Sequence, residues 1–144
     1  MHVLVGENAG LLNEVLVWLN EGLAVYVECQ LFPEAKSYWD TTFAVSRDLG
    51  RLLPWDDVTT KSTGEYPVAQ ARVHSAQSYG LVSGLIRQYG VSKVAAYVQS
   101  FRVKFKNDDA PNLAAVYQDH FKTVFGFPWA KGLDVLKPAS VTAK

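Results

Sequence analysis

One cysteine, one methionine and no excess of either charge are the first limits this chain sets on itself. A lone Cys29 forms no internal disulfide, and its place beside an apolar helical run predicts a buried or half-buried thiol rather than a nucleophile. Lysine and arginine number 14 against 14 aspartates and glutamates, and they are scattered. That balance argues against a nucleic-acid partner, which calls for a basic excess or stripe. The one small basic cluster, Arg102, Lys104 and Lys106, is followed by Asp108 and Asp109 and reads as a solvated helix end. No run of about 18 apolar residues is present, so no membrane span is expected. The first residues lack the basic segment and cleavable apolar stretch of a secretory leader, and the chain as written reads as cytoplasmic. There is no internal repeat, low-complexity segment or linker, and no strand pattern after residue 17.

What is present is a set of amphipathic helical runs with clear punctuation. At 144 residues, 49% of them apolar, the chain suits one hydrophobic core. From Val17 to about Gln30, Leu19, Leu23, Tyr26 and Val27 recur at helical spacing, and Gly22 among them permits close approach of another backbone. Pro33 suits the first turn of a second helix, to about Leu49, which Gly50 ends. Asp56 to Tyr66 is dense in turn formers and reads as a polar, mobile loop. Pro67 opens a long helix to Tyr89, closed by Gly90. Ser92 is placed to cap a helix over about Lys93 to Lys106, followed by a turn from Asn107 to Pro111. A further helix is expected over Asn112 to Phe125 and a short one near Ala130 to Leu136. The fold expected is mainly α, a single-domain helical bundle over residues 1–136 with a loose tail at 137–144.

The segment that carries chemistry is Trp18-Leu19-Asn20-Glu21-Gly22-Leu23-Ala24-Val25-Tyr26-Val27-Glu28. It resembles the helix that delivers the glutamate zinc ligand in gluzincin metallopeptidases, the peptidase-MA-like and aminopeptidase-N-like group. Its closest likeness is to the Trp-Leu-Asn-Glu-Gly-Phe-Ala pattern of the aminopeptidase branch. His2 and Glu21 stand 21 − 2 = 19 positions apart, the separation that branch keeps between its second histidine ligand and its glutamate. Downstream, His74-Ser75-Ala76-Gln77-Ser78-Tyr79 and the Tyr89-Gly90 ending resemble that group's long helix. Phe121 to Gly126 and Trp129 resemble its closing helices.

The resemblance implies the helical C-terminal part of a gluzincin domain cut within its His-Glu-x-x-His motif. His2 and Glu21 are then the residual metal ligands, and zinc is the metal of active relatives. A catalytic zinc takes about three protein ligands and an open position for water. The hydrolysis also needs a positioned base. With the first histidine and the base missing from these 144 residues, no cofactor is expected in this chain and no peptidase activity from it alone. His74 and Tyr79 are the candidates for a legacy role in stabilising an oxyanion, as a downstream histidine or tyrosine does in active relatives.

Each of these residues also has a structural reading. A glutamate early in a helix is favoured by the macrodipole whatever its function, and a second residue is often a frayed end. A histidine or tyrosine on an amphipathic helix is usually packed, with its polar tip hydrogen-bonded. Neither Cys29 nor His120 has a neighbour at metal-ligand spacing.

The functional expectation is therefore an inactive metallopeptidase-like domain serving as a binding or interaction module for a peptide or protein ligand. The alternative is a piece of a working peptidase whose missing residues come from upstream sequence or another chain. Relatives are often secreted or envelope-associated. Loss of the covering sheet is expected to leave Leu11, Leu12, Val15, Leu16 and Trp18 uncovered, which favours repacking or a homo-oligomer.

Overall fold

The computed structural model describes residues 17–61, 63–104, 113–128 and 131. Six α-helices run through them: α1 Val17–Leu31, α2 Pro33–Asp48, α3 Trp55–Thr60, α4 Val68–Tyr89, α5 Val91–Lys104 and α6 Leu113–Phe125, with a 3-10 turn at Thr63–Glu65. No strand occurs among the described residues, so the mainly α class stands. None of their helices is long and apolar enough to cross a membrane. His2, the 11–16 segment, the Asn107 to Pro111 turn, the expected helix at Ala130 to Leu136 and the 137–144 tail lie outside the described residues, apart from Lys131.

Two helices organise the rest. α1 buries Trp18, Leu19, Gly22, Val25 and Cys29, a series stepping by three and four that lines one face. α4, about 33 Å long at 1.5 Å per residue, buries nine residues between His74 and Leu85. The two pack directly, and at Gly22 their backbones come close. A Cβ built there would stand 2.4 Å from the Ser78 carbonyl oxygen and 2.5 Å from Val82 Cγ2, which no side chain tolerates. The backbone contact that Gly22 was expected to permit is therefore real.

Punctuation follows the sequence closely. Pro33 occupies the first turn of α2, where its missing N–H costs no hydrogen bond. At the other end Gly50 takes φ +64°, and Arg51 donates its backbone N–H to the Ser46 carbonyl at 2.7 Å, a closure that needs a left-handed residue. Gly90 ends α4 with φ +86° in the same spirit. α5 begins at Val91, so Ser92 lies within the helix rather than before it.

The stretch expected to be a polar loop is different. Its first half is α3, because Trp55 and Val58 are buried in the main core and repay ordering the segment. Local chemistry helps: Asp56 and Asp57 sit in the first turn, where the helix dipole favours them, and Lys61 pairs with Asp57 at 3.0 Å. Tertiary burial outweighs turn propensity here.

The core joins α1, α3 and α4 to α5 and α6. Trp18, expected to be uncovered, is fully buried, its ring edge-on to Phe121 with centroids 6.3 Å apart. Tyr97 from α5 stands edge-on to Phe121 and Phe125 at 5.9 and 5.1 Å, a geometry that favours aromatic pairs. A second, smaller cluster of Val25, Cys29 and Tyr79 lies under α2, where Trp39 covers it. α2 itself is the most exposed of the long helices, with Ser46 its one buried residue among those described.

Candidate functional site

The close contact of α1 with α4 brings Glu21 to Ser75, 54 positions apart in the chain. The half-buried carboxylate accepts a hydrogen bond from the Ser75 hydroxyl at 3.4 Å. His74, the residue before Ser75, turns inward and is fully buried. Its Nε2 lies 3.0 Å from the Val58 carbonyl of α3, and since a carbonyl only accepts, Nε2 carries the hydrogen. In the neutral ring Nδ1 then presents a lone pair to a buried space in which no described hydrogen-bond partner meets it. Burial pushes the imidazole below its ordinary value of 6.5, and this outweighs the Val58 carbonyl, the Glu21 charge and the Lys61 carbonyl, which all favour the cation. His74 is thus a neutral, oriented ring near a carboxylate. The Tyr66 ring packs on it at 5.7 Å.

Tyr79 lies elsewhere. Five residues along a helix is a rotation of about 140° net, so Tyr79 faces α2 when His74 faces α3. Its hydroxyl donates to Asp40 Oδ1 at 3.1 Å and lies beside the buried Cys29 thiol. Burial first, then the Asp40 charge, holds the phenol far above its usual range, so it stays a neutral donor. The thiol is also pushed up, chiefly by burial. The structure therefore joins Glu21 to Ser75, the neighbour of His74, and sets Tyr79 in a separate cluster. His120, on α6, meets the Ser100 hydroxyl at 2.6 Å and stacks on Tyr97. His2 lies outside the described residues.

Several contributors had no local signal. Ser75 is one of several polar residues between His74 and Ser78, and only the α1–α4 contact marks it out. Gln77 is another: fully buried, it grips the link before α3 by accepting from the Leu53 N–H at 3.0 Å and donating to the Leu53 carbonyl at 3.1 Å. This amide clamp fixes the start of α3 and with it the Val58 carbonyl that orients His74.

No group of three histidine, cysteine, aspartate or glutamate residues able to hold a metal gathers among the described residues. Glu21 is a carboxylate of the right kind, but one donor does not make the three-ligand set that a catalytic zinc needs. The described residues by themselves thus do not form a zinc site. With this geometry in place the comparison with known families is direct. The profile of the Peptidase MA superfamily matches residues 2–142, and the chain belongs to that superfamily. No curated protein and no solved structure matches it.

Proposed function

We propose that this 144-residue chain is a metallopeptidase-derived binding module, which takes up a peptide against the Glu21–Ser75 face and does not hydrolyse it unaided. The observation that carries the reading is the half-buried Glu21 carboxylate, held by Ser75 at the contact of the two central helices. A partly desolvated carboxylate is a strong acceptor for the amine or amide hydrogens of a peptide. Hydrolysis needs in addition an activated water and a base. Of the three histidines in the chain, His74 is turned inward onto a backbone carbonyl and His120 meets Ser100.

A second reading is favoured by the family match itself, which takes in both His2 and Glu21. In it, His2 and Glu21 supply two of the ligands of a zinc centre completed by further residues. The zinc would then supply the activated water, and this chain would supply the carboxylate and the positioned, neutral His74.

One set of measurements separates the two. The purified 144-residue chain is assayed for zinc content after dialysis, for chelator-sensitive cleavage of a quenched peptide library, and for binding of the same peptides by fluorescence anisotropy. The expected result is peptide binding weakened in Glu21→Gln, with neither stoichiometric zinc nor cleavage. Stoichiometric zinc with chelator-sensitive cleavage overturns the module reading. A gain of zinc and cleavage only when His-Glu-x-x is joined ahead of His2 supports the second reading.

A further inference from the structure

A small cleft lies between α2 and α4, apart from the Glu21 face. Asp40, Phe43 and Arg47 on α2 meet Tyr79, Gly80, Ser83 and Arg87 on α4 around a space of about 170 Å³. Residues 40, 43 and 47 on one helix and 80, 83 and 87 on the other repeat the same three-then-four step, so two parallel helix faces are matched along the cleft. Two arginines, one from each helix, are among the residues that line it.

Each arginine has an ordinary reason to be where it is, since both occupy the last turn of a helix, where the dipole favours a cation. That reason does not account for their lining one cleft, because like charges brought together repel. Their intramolecular partners are few. Arg47 donates from Nε to Asp48 Oδ1 at 3.0 Å, an exposed pair of the weak class. Its guanidinium carbon stands 5.9 Å from the centre of the Phe43 ring, which steadies the group against the cleft wall. The Arg87 guanidinium makes no hydrogen bond or ion pair with any described residue. The one carboxylate in the lining, Asp40, is engaged by the Tyr79 hydroxyl and by Lys36.

We propose that this cleft is a binding site for a small oxyanion, a carboxylate or a phosphate group, held between Arg47 and Arg87. The chemistry fits: the planar fork of arginine matches two oxygens at once, and two forks satisfy a tetrahedral or planar anion from two sides. Ser83 adds a hydroxyl, now back-bonded to the Gly80 carbonyl at 3.2 Å, whose hydrogen turns to an anion in the cleft. Volume sets the class, since about 170 Å³ is below the 300 Å³ or so at which sites for larger organic ligands begin.

The test uses the full chain with inorganic phosphate and, separately, acetate, titrated at constant ionic strength while the arginine Nε–H resonances are followed by NMR. Saturable shifts of the Arg47 and Arg87 signals are expected in the wild type. Arg87→Gln and Arg47→Gln should each weaken binding by about tenfold or more, the loss of one charge-assisted pair. Arg51→Gln, an exposed arginine outside the cleft, should not. Tighter binding of phosphate identifies a phosphate site and tighter binding of acetate a carboxylate site. Shifts that fail to saturate with either anion in the wild type, or an equal loss in Arg51→Gln, overturn the proposal. The wild-type titration needs no variant to fold.

Discussion

Replacing Gly22 by alanine adds one methyl group at a close approach of the two central helices. The new Cβ would lie 2.4 Å from the Ser78 carbonyl oxygen, 2.8 Å from its carbon and 2.5 Å from Val82 Cγ2. Ordinary contact needs 3.4 Å or more, so the helices must part by about 1 Å or bend. Two of the three atoms are backbone and cannot rotate away. Overpacking of this kind costs about 1–3 kcal/mol, and a clash with rigid atoms belongs at the upper end. Alanine returns about 1 kcal/mol through its better helix propensity, leaving a net loss of about 2 kcal/mol. For a domain of this size that lowers Tm by about 4–8 °C, read by thermal melts followed by circular dichroism.

Two controls isolate the cause. Gly50→Ala meets no atom within 4 Å and suffers only its φ of +64°, at about 1 kcal/mol, so it should be the milder change. Adding Val82→Ala to Gly22→Ala removes one clash but leaves the Ser78 carbonyl in place, and should not restore the wild-type melt. A Gly22→Ala protein as stable as wild type would show that α1 and α4 do not touch here. Glu21 would then not be held against Ser75.

Two further outcomes follow from buried polar groups. Gln77→Leu removes both hydrogen bonds to Leu53 and strands a backbone N–H and carbonyl, costing about 2–4 kcal/mol in urea unfolding; an unchanged midpoint would mean the clamp is not formed. His74 has a folded-state pKa below its ordinary 6.5, so the unfolded chain binds the extra proton first. Its contribution to stability is complete above about pH 6.5 and is lost as the pH falls below that value. The measurement is urea unfolding between pH 7.5 and about pH 5 for wild type and His74→Gln, and the two should diverge in that window, wild type showing the steeper fall. Parallel curves would show that the imidazole is solvated.

The helices and their ends were legible because they obey rules that act within about four residues. Pro33, Gly50 and Gly90 sit where their backbone chemistry required, and Gly22 announced a close contact by its position in an otherwise large-residue run. The Trp18 to Glu28 run likewise pointed to the family, and the match over residues 2–142 agrees with it. Where the sequence misled, burial was the cause: Trp55 and Val58 turn a stretch rich in turn formers into α3, and Phe121 covers a tryptophan expected to be bare.

The amino-acid order alone determined that this chain is helical, where its long helices α2 and α4 stop, and that it belongs to the Peptidase MA superfamily. The tertiary structure alone decided that Glu21 meets Ser75, that His74 and Tyr79 point to opposite neighbours, and that Arg47 and Arg87 line one cleft. The physical reason is range. A hydrogen bond to the next turn can be read from neighbours in the chain, but the direction of a side chain toward another helix depends on how whole faces pack.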